Sequence, residues 1–343
     1  MLYRSRAPLR LGLAGGGTDV SPYSEMHGGA VLNATINMYA YATIEVLSDR
    51  QVVFSSLDRG TTSSFAVGSP PSCPDDLKLF LGTYEAVMER FNSGKHIGLR
   101  LSAHSDAPAG SGLGASSALV VALIGAFVEY LRLPLGEYEV ARFAYDIERK
   151  RLGLVGGKQD QYSATFGGVN FMEFYGNDKV IVNPLRVKRE YLNELQYRML
   201  LYYTGTSRLS SAIIKQQVEN LTRGAGTTLE AMHQLKRQAV AMKEALLQGK
   251  LEEIGEIFNW GWEQKKNLAE NVTSPAIDEI FQKAMSSGAL GGKITGAGGG
   301  GFLMLYCEPD SKQAVERALS AFDGRIMPFE FTTIGLETWS VMP

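Results

Sequence analysis

Cysteine is almost missing from this chain: two, Cys73 and Cys307, occur among 343 residues. They stand far apart and form no CxxC pair, which excludes a disulfide framework and a thiolate metal centre and leaves two reduced thiols as the expectation. Histidine is scarce as well. The four present (His27, His96, His104, His233) form no triad and no metal-ligand spacing; His27 alone stands beside a motif discussed below. Long apolar runs are also absent: the longest, Ala118 to Val128, is too short to cross a bilayer. The N-terminal "MLYRSRAPLR" carries charges but no apolar stretch of signal-peptide length. Charge of one sign is lacking too, because the formal net charge is −2, so bulk electrostatics give no reason to expect a nucleic acid. These absences lead us to expect a soluble, cytoplasmic protein with neither a nucleic-acid nor a membrane partner.

What is present is ordinary globular material, 45% hydrophobic and 20% charged, in a chain long enough for two lobes. Helices are expected over 77–92, 115–131 and 136–151. The β-branched and aromatic stretch "VLNATINMYAYATIEVL" reads as a strand pair joined by an ill-defined turn. Phe166 to Tyr175 reads as a strand, and the polar "YGNDK" after it is a natural exit from a first domain. The expected division is therefore 1–175 and 176–343. In the second half, Leu229, Met232, Leu235, Ala239, Met242 and Leu246 recur at helical steps. Thr227 and Glu230 have capping-box spacing, with Gly249 as the stop. Ser274 followed by Pro275 marks another helix start. The fold class expected is mixed α+β in two lobes.

Glycine is abundant, with 38 residues, and concentrates in loops. "PAGSGLGASSA" (108–118) lies between the strand-like "IGLRLSAHSD" and a buried-helix pattern, the setting in which a loop cradles phosphate. A Walker loop needs GxxxxGK[ST], and no stretch of the chain fits. Gly110, Gly112 and Ala115 match a dinucleotide fingerprint by letter, but no strand ending in a carboxylate follows where a ribose would need one. A second match, Gly296 to Gly301, runs into the strand "FLMLYC" rather than a helix. What remains is a loop that holds phosphate through backbone N–H groups and a helix N-terminus. Ser116 and Ser117 stand in that helix's first turn, where they can cap it, touch phosphate or ligate a magnesium ion.

Three separated motifs then resemble those of the GHMP kinase superfamily, in that family's order. "PAGSGLGASSA" resembles its phosphate-binding motif, which implies ATP contacts from Pro108, Gly110, Ser111, Gly112, Leu113, Gly114, Ala115, Ser116 and Ser117. "KITGAGGGGFLM" (293–304) is similar to its third motif and implicates Gly298 and Gly299 in shaping the pocket. "APLRLGLAGGGTD" (7–19) is similar to its first motif, which approaches the acceptor through Gly16, Gly17, Thr18 and Asp19. Within that resemblance Arg10 falls at the catalytic arginine, and Asp19, nine residues on, at a sugar-hydroxyl binder. Asp160 matches the catalytic aspartate, while Glu148 and Ser117 match the magnesium ligands. The fold implied is an N-terminal ribosomal-S5-like α/β domain and a C-terminal ferredoxin-like α/β domain, with ATP and Mg²⁺ as cofactors.

The stretch from Arg6 to Ile36 looks more narrowly like the D-glycero-D-manno-heptose 7-phosphate kinases. That resemblance implies transfer of the ATP γ-phosphate to the anomeric hydroxyl of a sugar phosphate, giving heptose 1,7-bisphosphate for GDP-heptose biosynthesis. Fucose kinases share a similar core but carry Trp at the position of Gly17, and a fucose or other hexose 1-kinase is the alternative. A catalytically silent nucleotide or sugar-phosphate sensor is another. A phosphorylated sugar needs a cationic anchor at its far end. Arg208 and Lys158 are the candidates for it, followed by Lys265 or Lys266.

Overall fold

The computed structural model describes residues 1–108, 110–205 and 210–342. The chain opens with β1 (Leu2–Ala14), a short α1 (Tyr23–His27) and the long β2 (Gly29–Val46). Next come β3 (Gln51–Ser56), β4 (Thr61–Ala66), α2 (Lys78–Phe91) and β5 (Leu99–Ser105). Two helices, α3 (Ala115–Leu131) and α4 (Glu137–Tyr145), precede a π-helical turn at Asp146–Arg151, and α5 (Gln159–Phe166) follows. The hairpin of β6 (Val169–Phe174) and β7 (Val180–Pro184) leads to α6 (Arg189–Arg198) and β8 (Met199–Tyr203). Helices α7 (Ser210–Thr222), α8 (Gly226–Gln248), α9 (Ile254–Lys266) and α10 (Pro275–Ser286) come before β9 (Ala289–Ile294) and β10 (Phe302–Cys307). The chain closes with α11 (Lys312–Leu319), β11 (Arg325–Ile326) and β12 (Glu337–Val341).

The stretch expected to be a strand pair is one strand, β2. No glycine or proline interrupts it after Gly29, so nothing forces a turn. Its ladder with β1 carries a bulge: Pro8 of β1 faces Tyr39, but Leu9 faces Ile36. Proline brings no N–H to a ladder, and Asn37 and Met38 are left out of register there. The Asn37 N–H instead donates to the Glu330 carbonyl at 2.9 Å. One edge of β2 pairs with β1 along its length; the other pairs first with β6 and then with β5. The resulting eight-stranded sheet runs β12-β1-β2-β5-β3-β4, with β6 and β7 attached beside β2.

Helix α3 lies across β1 and β2. Its apolar run is buried on every side, from Val120 to Phe127, and each such aliphatic or aromatic side chain contributes roughly 1.5–3 kcal/mol. Burial of its body fixes where its N-terminus points. The smaller sheet, β11-β8-β10-β9, is antiparallel. It has its own core, with Trp262, Ile280, Leu303, Leu305 and Val315. The two mixed lobes expected from the sequence are thus present. Strands are shared across residue 175: β7 and β12 belong to the large sheet.

Two local expectations need correction. The helix expected over 136–151 is α-helical only to Tyr145; its last turn widens into the π-helical segment. Thr227 caps nothing, because α8 begins one residue earlier, at Gly226, and has no side-chain cap. Ser274, by contrast, caps α10 by accepting the Ile277 N–H at 3.3 Å, and Gly249 ends α8 at φ +74°.

Candidate active site

A cavity of about 570 Å³ opens where the two lobes meet. One wall is the glycine loop at 110–117. Gly114 caps α3 at φ +77° without any side-chain acceptor on the first-turn N–H groups. A side chain at Gly114 would stand 3.2 Å from the Asp160 Cγ. The first turn, Ala115, Ser116 and Ser117, therefore lines the cavity with its donors unclaimed by a cap, an arrangement suited to an anion. Neither serine serves as the helix cap.

The third-motif loop packs backbone on backbone against this first one. The Phe302 N–H donates to the Ser111 carbonyl at 3.2 Å, and the Thr295 hydroxyl donates to the same oxygen at 3.3 Å. A Cβ on Gly112 would lie 2.6 Å from the Thr295 carbonyl, so the approach requires glycine. Gly296 and Ala297 reach the cavity. Gly298 and Gly299 do not: they turn toward Val272, whose carbonyl accepts the Gly299 N–H at 2.7 Å. Pro108 and Leu113 also stand back from the lining; their carbonyls accept the N–H groups of Ser111 and Arg10.

Arg10 projects from β1 and is buried. Its Nε and Nη2 reach Asp160 Oδ1 at 2.8 and 2.7 Å, while Nη1 donates to the Gly112 carbonyl. One guanidinium thus ties the aspartate in the first turn of α5 to the phosphate-type loop. Both bonds fall on Oδ1, and Oδ2 has no hydrogen-bond partner among the described residues.

The first-motif turn is organised differently. Asp19 is buried, and its carboxylate accepts four N–H groups. Oδ2 takes the backbone N–H of Lys158 and of Gln159 at 3.0 and 3.1 Å; Oδ1 takes Gln159 Nε2 at 3.1 Å and the Gly17 N–H at 3.2 Å. It therefore anchors the N-terminus of α5. The Thr18 hydroxyl locks the turn by donating toward the carbonyls of Gly15 and Ala30, so it does not face the cavity. Gly16 offers its carbonyl to Lys265 Nζ at 3.1 Å.

On the other side of Asp160, Ser117 Oγ and Glu148 Oε2 both accept from Gln161 Nε2, at 3.1 and 2.5 Å. Glu148 is buried, brought inward by the π-helical turn. Two hard oxygens gathered around a single donor fit a small divalent cation. Among the described residues no cluster of three or more His, Cys, Asp or Glu side chains is placed to hold a metal.

The cations expected to anchor a distal phosphate separate clearly. Lys158 is buried with its ammonium 2.6 Å from Glu25 and 3.6 Å from Asp178, so it is engaged away from the cavity. Arg208 lies outside the described residues. Lys266 pairs with Glu263 at 2.6 Å. Lys265 does line the cavity; burial pulls its ammonium down to about 8, against an opposing pull from Asp19. Sequence reading missed Lys293. It is buried beneath the first motif, donates to the Gly12 carbonyl at 2.8 Å, and burial lowers its basicity strongly. The available signal was a lysine inside the otherwise apolar and glycine-rich strand "ALGGKI". His27 packs its ring 5.1 Å from that of His233, outside the cavity lining.

Comparison with known proteins identifies the family. The profile of the GHMP kinases N terminal domain matches residues 78–168, and that of the GHMP kinases C terminal matches 242–324. The chain is 42% identical to a D-glycero-alpha-D-manno-heptose 7-phosphate kinase of Campylobacter jejuni, over 98% of this chain and 99% of that protein. It is 30% identical to an L-fucokinase/L-fucose-1-P guanylyltransferase of Bacteroides fragilis, over 92% of this chain but 36% of that longer protein. The crystal structure of a D-glycero-D-manno-heptose 1-phosphate kinase from Bacteroides thetaiotaomicron superposes with a TM-score of 0.84 at 43% identity, covering 99% of this chain and 100% of that one. This chain belongs to the GHMP kinases. It is a phosphotransferase that uses an alcohol group as acceptor. Among the described residues no helix is long and apolar enough to cross a membrane.

Proposed function

We propose that the chain transfers the γ-phosphoryl group of ATP to the anomeric hydroxyl of D-glycero-D-manno-heptose 7-phosphate, in the cytoplasm, on the route to GDP-heptose. The observation that carries the chemistry is Arg10 holding Asp160 by one oxygen against the glycine loop. Oδ2 of Asp160 then accepts the proton of the acceptor hydroxyl as its oxygen attacks phosphorus. Arg10 stabilises the charge that develops on the transferred group, and the N-terminus of α3 holds the nucleotide phosphates. Ser117 and Glu148 would hold Mg²⁺. When bound, that ion would offset the negative charge of the phosphates.

The substrate reading rests on likeness to relatives and on the acceptor side of the cavity. The relatives' names place the sugar's existing phosphate differently, one at position 7 and one at position 1. Lys265 supplies a cation on that side, as a phosphorylated acceptor needs. Gly17 speaks against the fucose alternative. It sits at φ +107°, and a Cβ there would already lie 3.3 Å from Leu268 and 3.4 Å from Gln217. A side chain at this position would need a left-handed backbone and a shift of both neighbours.

The test is ADP release, measured across heptose 7-phosphate, heptose 1-phosphate, unphosphorylated heptose, fucose and galactose. Selective turnover of the 7-phosphate, with phosphate appearing at C1, is expected. Preference for an unphosphorylated sugar would overturn the substrate assignment and leave the phosphotransferase standing. ATP binding without turnover of any sugar would favour the sensor.

A further inference from the structure

Asp160 is flanked by two glutamines, and the structure gives them opposite duties. Gln159 turns its amide to Asp19, on the acceptor side. Gln161 turns its amide the other way, to Ser117 and Glu148. Gln161 is fully buried, and while its Nε2 serves two oxygens, its Oε1 has no partner among the described residues. A buried amide carbonyl left unsatisfied is destabilising. A leucine or methionine of similar size would fill the same volume without that cost. Packing alone therefore gives no reason for an amide here.

We propose that Gln161 is a positioning residue of the divalent-cation site, an inference that rests on Ser117 and Glu148 being the cation's protein ligands. An amide nitrogen carries two N–H groups, and Gln161 spends one on each ligand oxygen. That fixes the Ser117 hydroxyl as an acceptor toward α5. It also holds Glu148 by Oε2, so that Oε1 is the oxygen left for a cation; Arg149 stands 3.6 Å from that oxygen. The unpartnered Gln161 Oε1 is an acceptor for a water in the hydration shell that Mg²⁺ characteristically keeps. Outer groups of this kind set ligand orientation and metal affinity. Three consecutive residues at the start of α5 thus address the acceptor turn, the reacting hydroxyl and the cation in succession.

The test measures Mn²⁺ binding to the full chain with ADP bound, by the loss of the free-ion electron paramagnetic resonance signal, alongside calorimetry of ADP without metal. Gln161→Leu is expected to weaken Mn²⁺ binding roughly 10- to 100-fold, with metal-free ADP affinity and acceptor affinity held within twofold. Its turnover at low Mg²⁺ should fall and recover as Mg²⁺ is raised. Glu148→Gln serves as the reference. If Glu148→Gln weakens Mn²⁺ and Gln161→Leu does not, the role given to Gln161 is wrong. If neither variant alters Mn²⁺ affinity, the cation-site reading itself fails. An equal loss of metal-free ADP binding in Gln161→Leu makes the residue merely structural and overturns the proposal. Should Gln161→Leu not fold, Gln161→Met, unbranched and similar in volume, is read the same way.

Discussion

Two aspartates border the same cavity, and their surroundings differ in kind. Asp19 is buried and accepts four N–H groups, two on each oxygen. A carboxylate has about four lone-pair sites, so little is left for a ligand. Asp160 is about a quarter exposed and takes both its bonds on one oxygen, from one guanidinium. The contrast supports the proposed division: an anchoring role for the saturated carboxylate and proton transfer for the one with a free oxygen. The family resemblance had implied a sugar-hydroxyl role for Asp19; here it sets the start of the helix that carries Asp160.

The sharpest test of that division is Asp160→Asn. Removal of the proton acceptor should lower kcat roughly 10²–10⁴-fold while the KM for the sugar phosphate moves only a few-fold. Steady-state kinetics decide it, and a loss under tenfold would show that Asp160 is not the base. Next in size is Arg10→Met. Loss of a preorganised cation at the reacting group should lower kcat about 10²–10³-fold, and nucleotide binding should weaken less, because the loop N–H groups remain.

Asp19→Asn probes the other half of the comparison. An asparagine side chain offers one carbonyl oxygen where four donors converge, so it turns an N–H toward N–H groups. Urea unfolding should register about 1–3 kcal/mol of lost stability, with a kcat loss smaller than that of Asp160→Asn. Unchanged stability with a raised KM would reverse the assignment and make Asp19 a ligand-binding group.

The smallest effect on stability belongs to Lys265→Met. The ammonium's pKa falls from its ordinary 10.5 to about 8 on folding. Below pH 8 the parent therefore carries the full penalty of a buried charge. Between 8 and 10.5 the unfolded chain holds more protons than the folded one, so parent stability rises with pH. The variant should be more stable at pH 7 by on the order of 1 kcal/mol after the lost Gly16 bond is counted. That advantage should shrink as pH climbs through this window, a trend thermal melts across pH will follow.

The residues that line or frame the cavity were legible because their signals are local. Arg10 and Asp19 sit in one short motif, Ser117 in another, and Glu148 and Asp160 in a third. Their supports were not. Lys293 meets Gly12 across 281 residues, and Lys158 is matched by Glu25 and Asp178 from two other elements. No spacing rule reaches that far, so Lys158 read as a substrate anchor when it is a structural ion pair. The inward aim of Glu148 was hidden for a different reason. Helical periodicity assumes a regular hydrogen-bond ladder, and the π-helical turn breaks that assumption where Glu148 must enter the site. In β2 the misleading signal was composition: a long run of strand formers read as two strands, when it is one strand with a bulge opposite Pro8.

The strand that carries Arg10 has a companion that arrives late. β12 pairs with residues Leu2 to Arg6 of β1, and Arg6 meets Glu337 across 331 residues of sequence. A ribosome adds about 5–20 residues each second. For most of synthesis the outer edge of β1 is thus an open strand edge, the kind of surface that recruits stray partners. The nascent N-terminal lobe completes its sheet only once β12 is available, long after the strand that carries Arg10 has been made.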